Sequence, residues 1–220
     1  MTWPVGSSGQ FAWHLPVSGV VVGETACTVL IRNKKGHMSY SLRGERVRRK
    51  GTTTDMMRDF VADALLSLLA DREYREVTIK ELASEAGVSR STFYRLFGDK
   101  DTVVSWWYGA LMDEYLRLFA ARADRGRGGY LRAIFDCFYA HHEELLLLHE
   151  RGCTHRMLGV LRDRLGDERA SYASAYHVGG VYGVMEQWLD ARMADPPEKM
   201  AAEALAIMSP GFVPAVVAKA

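Results

Sequence analysis

The chain has 220 residues, 48% of them hydrophobic and 25% charged, with a formal net charge of +1. That is enough apolar material for a core in one or two domains, and it excludes wholesale disorder. Three widely spaced cysteines, Cys27, Cys137 and Cys153, make no disulfide framework and fit a reducing, cytoplasmic setting. No apolar run reaches the length of a membrane span.

Residues 1–37 begin rich in Gly, Ser and Pro and then carry two β-prone runs, at 17–22 and 25–32. Two short strands without further sheet are not independently stable, so the segment reads as a weakly ordered extension, with Met38 a candidate native start. Residues 38–51 hold a basic arm, Arg43, Arg46, Arg48, Arg49 and Lys50, against the single acid Glu45. Such an arm is an ordinary charged leader or one that reaches into an adjacent minor groove.

Helical patterning starts immediately afterwards. Thr54 or Asp55 can cap a helix running to about Ala70. Its apolar residues Phe60, Val61, Ala64, Leu65, Leu68 and Leu69 recur at three- and four-residue steps, which puts them on one face. Thr78 and Glu81 have the spacing of a capping box. The helix they open carries Ile79, Leu82, Ala83 and Ala86 on one stripe, and Gly87 can take the left-handed turn that ends it. Ser89 caps a short third helix to about Phe97, Gly98 breaks the chain, and Asp99 caps the next helix.

Two short helices joined by Gly87-Val88-Ser89 have the form of a helix-turn-helix, with the motif at 78–97 inside a domain at 52–100. Ala83 is small where the helices must approach, and Val88, Phe93 and Phe97 can lock the second helix onto the first. Arg90, Ser91, Thr92 and Arg95 are left on a polar, basic outer face. Such residues read base edges: arginine grips guanine bidentately, and a threonine methyl packs on thymine. The alternatives are that Tyr94 is core, as aromatics at helical spacing usually are, and that the arginines are ordinary solvated surface.

The string Thr78-Ile-Lys-Glu-Leu-Ala-Ser-Glu-Ala-Gly-Val-Ser-Arg-Ser-Thr-Phe-Tyr-Arg-Leu-Phe-Gly-Asp-Lys-Asp resembles the signature of the TetR family of bacterial transcription regulators, and the likeness covers about residues 52–112. It implies an all-α fold: a three-helix DNA-binding domain followed by a helical ligand-binding and dimerisation domain. It also implies base contacts from Arg90, Ser91, Thr92 and Arg95, and phosphate contacts from Thr78, Tyr94 and Lys100, which fix register while base contacts choose sequence. Thr78 and Lys100 stand at helix starts, where backbone amides attract anions.

The rest of the chain, 101–220, keeps a helical period almost throughout, with helices near 101–123, 128–149, 153–165, 168–193 and 197–208. Its aromatic residues, from Trp106 to Trp188, read as core. The resemblance implies an effector pocket among them, for which Trp107, Tyr139, His142 and Tyr176 are candidates. Gly179, Gly180 and Gly183 each cost about 1 kcal/mol inside a helix. Close helix approach would offset that, either within the subunit or, as the resemblance implies, in a homodimer joined through 168–193 and 197–208. The stretch from Gly179 through Trp188-Leu189 to the Pro-Pro-Glu-Lys-Met run at 196–200 is also similar to regulators of dihydroxyacetone kinase genes.

His141, His142, His149, Cys153 and His155 fit no zinc spacing, and no metal or other cofactor is expected. The sequence has no nucleophile–base–orienter set and no Walker or dinucleotide motif, so no enzyme is expected. The expected function is a ligand-responsive repressor binding double-stranded operator DNA as a homodimer, with no membrane partner. The alternative is an activator or protein-interaction module whose C-terminal domain binds another protein.

Overall fold

The computed structural model describes residues 28–32, 38–42, 53–166 and 171–218. The chain divides into two compact units, Met1–Arg49 and Lys50–Ala220. In the first, strands β1 (Thr28–Arg32) and β2 (Met38–Leu42) pair antiparallel, Thr28 opposite Leu42 and Arg32 opposite Met38. The strand expected at 25–32 is thus present in its second half. Met38 begins a strand, where the start of a basic arm was expected. The run at 17–22 and the arm residues Arg43, Arg46, Arg48, Arg49 and Lys50 lie outside the described residues.

The second unit is helical. α1 (Thr53–Leu69) starts slightly before the expected caps, so Thr54 and Asp55 fall in its first turn, where an acid complements the helix dipole. Val61, Ala64, Leu65 and Leu69 are buried as the period predicts, whereas Phe60 faces solvent. A single 3-10 turn, Tyr74–Glu76, leads into α2 (Ile79–Glu85), then α3 (Arg90–Leu96) and α4 (Lys100–Ala121).

Next come α5 (Arg127–Ala140), α6 (His142–Glu150), α7 (His155–Leu165), α8 (Tyr172–Asp190), α9 (Pro197–Ile207) and a terminal turn, α10 (Ala215–Ala218). α4 is the shared wall within the second unit: it packs on α1 of its small domain (α1–α3) and on α5 and α7 of its large one (α4–α10). α9 lies against α5, and α8 against α7.

The helix expected at 128–149 is two helices. The chain turns at His141 (φ −117°, ψ 28°), where the imidazole bonds to Glu114 on α4 and meets the Trp107 ring edge-on. Tertiary contact breaks the period here, with no glycine or proline to announce it. α8 likewise ends before the expected residue 193, because Arg192 and Met193 take left-handed backbone (φ 54° and 52°). Burial of the Met193 side chain and the Met193 N–H donated to Trp188 O at 2.7 Å stabilise that conformation.

Most of the expected aromatic core is core: Tyr108, Tyr115, Phe119, Tyr130, Phe135, Phe138 and Trp188 are all buried. Tyr172 and Tyr176 are not. They stand 95% and 81% exposed on α8.

Candidate nucleic-acid interface

The segment 78–97 is built from its caps outward. The Thr78 hydroxyl accepts from the Glu81 N–H, and the Glu81 carboxylate takes the Thr78 N–H and O–H in return, closing the capping box. Arg72 donates to the other Glu81 oxygen at 2.8 Å. These bonds, that of Arg72 foremost, hold the Glu81 carboxyl down at about 2. α2 then ends at Gly87, whose φ of +69° is the left-handed turn expected there.

Ser89 caps α3 by accepting from the Thr92 N–H at 3.0 Å. Leu82 and Ala83 on α2 and Phe93, Leu96 and Phe97 around α3 are buried together, with Val88 packed at their edge. The inner face of α3 is therefore fixed, and its outer face is determined by what is left over.

That outer face presents Arg90, Ser91, Tyr94 and Arg95 to solvent. Tyr94 is 49% exposed with its ring edge-on to Phe93, so it belongs to the surface side of α3 rather than the core. Thr92 is half-buried, and its hydroxyl accepts from Ser89 at 2.9 Å.

The two remaining candidates are committed within the fold. The Thr78 hydroxyl proton goes to Glu81. Lys100 lies over the Tyr74 ring at 4.6 Å and donates to the carbonyls of Tyr74 and Val77. Burial lowers its pKa. Both residues brace the loop that launches α2.

Sequence reasoning missed the bonds around that loop. Tyr74 Oη donates to Asp101 at 2.7 Å, and Arg156 of α7 pairs with the other oxygen of Asp101. Arg151, closing α6, donates to Leu69 O at 2.9 Å and Ala70 O at 3.3 Å. Each bond joins residues tens of positions apart, beyond the reach of any local pattern.

The four pocket candidates do not gather in one place. Trp107 is packed against Tyr108 and His141, and Tyr139 stacks on His142 and Trp188. Tyr176 lines a groove of about 180 Å³ between α5, α8 and the end of α9. His177 sits in the same groove, sharing a 2.9 Å hydrogen bond with the buried Tyr130 hydroxyl and meeting the Phe212 ring at a tilt.

The other histidines of the expected cluster each bond elsewhere: His149 to Thr154 and Asp190, His142 to Tyr139 O, His155 to Gly152 O. Among the described residues no group of three or more His, Cys, Asp or Glu gathers as a metal site. No described helix is long and apolar enough to cross a membrane.

Residues 61–105 match the model of the bacterial regulatory proteins of the tetR family. The HTH-type transcriptional regulator AlkX of Mycobacterium tuberculosis (strain ATCC 25618 / H37Rv) is 30% identical over 83 residues, 38% of this chain and 39% of AlkX. The chain thus spans well under half the length of that relative. Among solved structures, a TetR-family transcriptional regulator from Streptomyces coelicolor aligns with TM-score 0.48 and 20% identity, over 69% of this chain and 95% of its own. The dihydroxyacetone kinase operon activator DhaS aligns with TM-score 0.43 and 14% identity, over 70% and 94%.

Proposed function

We propose that this chain is a TetR-family transcriptional regulator, a reading supported by the match over residues 61–105, that it reads a palindromic operator as a homodimer, and that it represses neighbouring genes until an effector changes the spacing of its two reading heads. The observation that carries this reading is the construction of α3. Its inner side is fixed by buried Phe93, Leu96 and Phe97, which leaves Arg90, Ser91, Tyr94 and Arg95 on one solvent-facing side. In the complex Arg90, Ser91, Arg95 and the Thr92 methyl meet base edges, and Tyr94 meets a phosphate. Thr78 and Lys100 contribute mainly by bracing, with one ammonium proton of Lys100 left for a phosphate.

Three features of α8 and α9 support the dimer. Among the described residues a Cβ built on Gly179, Gly180 or Gly183 meets nothing within 4 Å, so packing among those residues does not account for these glycines. Tyr172, Tyr176 and, on α9, Ile207 (67% exposed) project on exposed surface. A groove lies alongside them. A second copy would cover this strip, and two-fold symmetry would present two reading heads to successive major grooves, about 34–36 Å apart.

An effector response is supported by Tyr115. Its hydroxyl is buried beside Tyr130 and Phe119 with no hydrogen-bond partner among the described residues; a buried hydroxyl left unpaired costs about 1–3 kcal/mol, which a ligand's polar group would relieve.

The decisive experiment is selection of bound duplexes from a random pool. A palindrome is expected. Arg90→Ala should then lose about 1–3 kcal/mol of discrimination at one position of each half-site. A chain that enriches no sequence, or a variant with unchanged discrimination, refutes the assignment.

A further inference from the structure

The α2–α3 unit hangs from two short segments, residues 69–78 before it and 97–101 after it. Both are fastened to the large domain at one place, the corner between α6 and α7. α6 closes there with a left-handed glycine, Gly152 (φ +72°). The Gly152 N–H donates to His149 O at 2.9 Å and the Cys153 N–H to Leu148 O at 2.8 Å, the paired bonds of a Schellman motif. That motif fixes the direction in which the chain leaves α6, and with it the placement of Arg151 and Arg156 on either side.

Arg151 donates to the carbonyls of Leu69 and Ala70, where α1 ends, and to the Glu73 carboxylate at 3.3 Å. Arg156 pairs with Asp101, and Asp101 accepts from Tyr74 at 2.7 Å. Tyr74 in turn offers its carbonyl and its ring to Lys100, which also donates to Val77 O, one residue before the Thr78 cap of α2. An unbroken line of polar contacts therefore runs from α7 to Val77, the residue before the helix-turn-helix. Arg151 closes a second line onto the end of α1. Neither arginine is on the reading face.

We propose that Arg151 and Arg156 are positioning residues for DNA reading: they fix the angle at which the helix-turn-helix is held against the large domain, and hence the separation of the two heads in the dimer. The inference rests on the dimeric reading above. Both arginines are only partly exposed and tie separate segments together, so the readout that isolates a positioning role is half-site geometry rather than melting temperature.

The test is spacer discrimination. The probes are the palindromic duplex that the wild-type chain selects and the same duplex with one base pair inserted at its centre, which moves the half-sites apart by about 3.4 Å and turns them by about a tenth of a helical turn. Wild type is expected to prefer the uninserted duplex by about tenfold or more. Arg151→Gln and Arg156→Gln should each narrow that preference by about threefold or more, the size of a modest coupling, with binding to a random-sequence duplex unchanged.

Tyr74→Phe keeps both arginines and the ring under Lys100 and removes only the bond to Asp101, so it should narrow the preference in the same direction. It carries the test should the glutamine variants fail to fold. An unchanged preference, or an equal loss of affinity for both duplexes, overturns the proposal. A wild-type chain that selects a palindrome but ignores the inserted pair overturns it too. A wild-type chain that selects no palindrome refutes the dimeric reading itself, and this inference falls with it.

Discussion

Acidification from pH 7 to pH 5 should destabilise the large domain through one residue, His177. Its side chain lines the α8 groove, bonded to Tyr130 and packed against the tilted Phe212 ring. Burial, reinforced by the Arg127 guanidinium, holds its pKa down to about 4. The unfolded chain titrates at about 6.5. Between those values the unfolded state binds more protons, so stability is fully present above pH 6.5 and is lost as the pH falls toward 4.

Evaluated at pH 5, the linkage amounts to about 2 kcal/mol; solvent at the groove mouth screens part of it, leaving about 1–2 kcal/mol. Urea denaturation at pH 7, 6 and 5, at one fixed chain concentration, measures the change. His177→Gln places an amide near the Nε2 position but cannot take up the proton. It should be less stable than wild type at pH 7 and should lose correspondingly less between pH 7 and 5. An identical pH dependence in wild type and variant would refute the reasoning.

Other substitutions test the bracing. Thr78→Ala removes the α2 cap and should cost about 1 kcal/mol by denaturant melting; since Glu81 is held near 2, its stabilising part should persist above pH 4.5 and fade as the pH falls toward 2. Arg127 donates to the carbonyls of Met208, Ser209 and Pro210 and so closes the end of α9. Arg127→Ala should cost about 1–3 kcal/mol, with hydrogen exchange accelerated at that end of the helix. Tyr115→Phe deletes a buried hydroxyl without a partner and should leave the melting temperature unchanged or raise it by an amount worth about 1 kcal/mol.

The small domain was largely legible in sequence because its boundaries are local chemistry. Thr78, Ser89 and Asp99 each cap the helix expected of them, and Gly87 and Gly98 each take the positive φ expected at a break. The large domain was legible in periodicity but not in breaks. His141 turns the chain because Glu114 and Trp107 hold it, and no residue type announces that. The aromatics of α8 misled for a related reason. Tyr172 and Tyr176 share the composition of a core helix, but burial depends on which neighbour covers them, and among the described residues none does. The Arg156–Asp101–Tyr74 line was invisible because its members are ordinary charged and aromatic residues that only the fold brings together.

The open glycines of α8 set a trap for anyone stabilising this protein. Alanine at 179, 180 or 183 would meet no atom of the described residues within 4 Å and would strengthen an isolated helix by about 1 kcal/mol at each position. A thermal screen of single subunits would therefore rank these three changes among its best. On the dimer reading they would roughen the one strip kept flat for a second copy, and a heat-selected variant would melt higher while ceasing to recognise its operator.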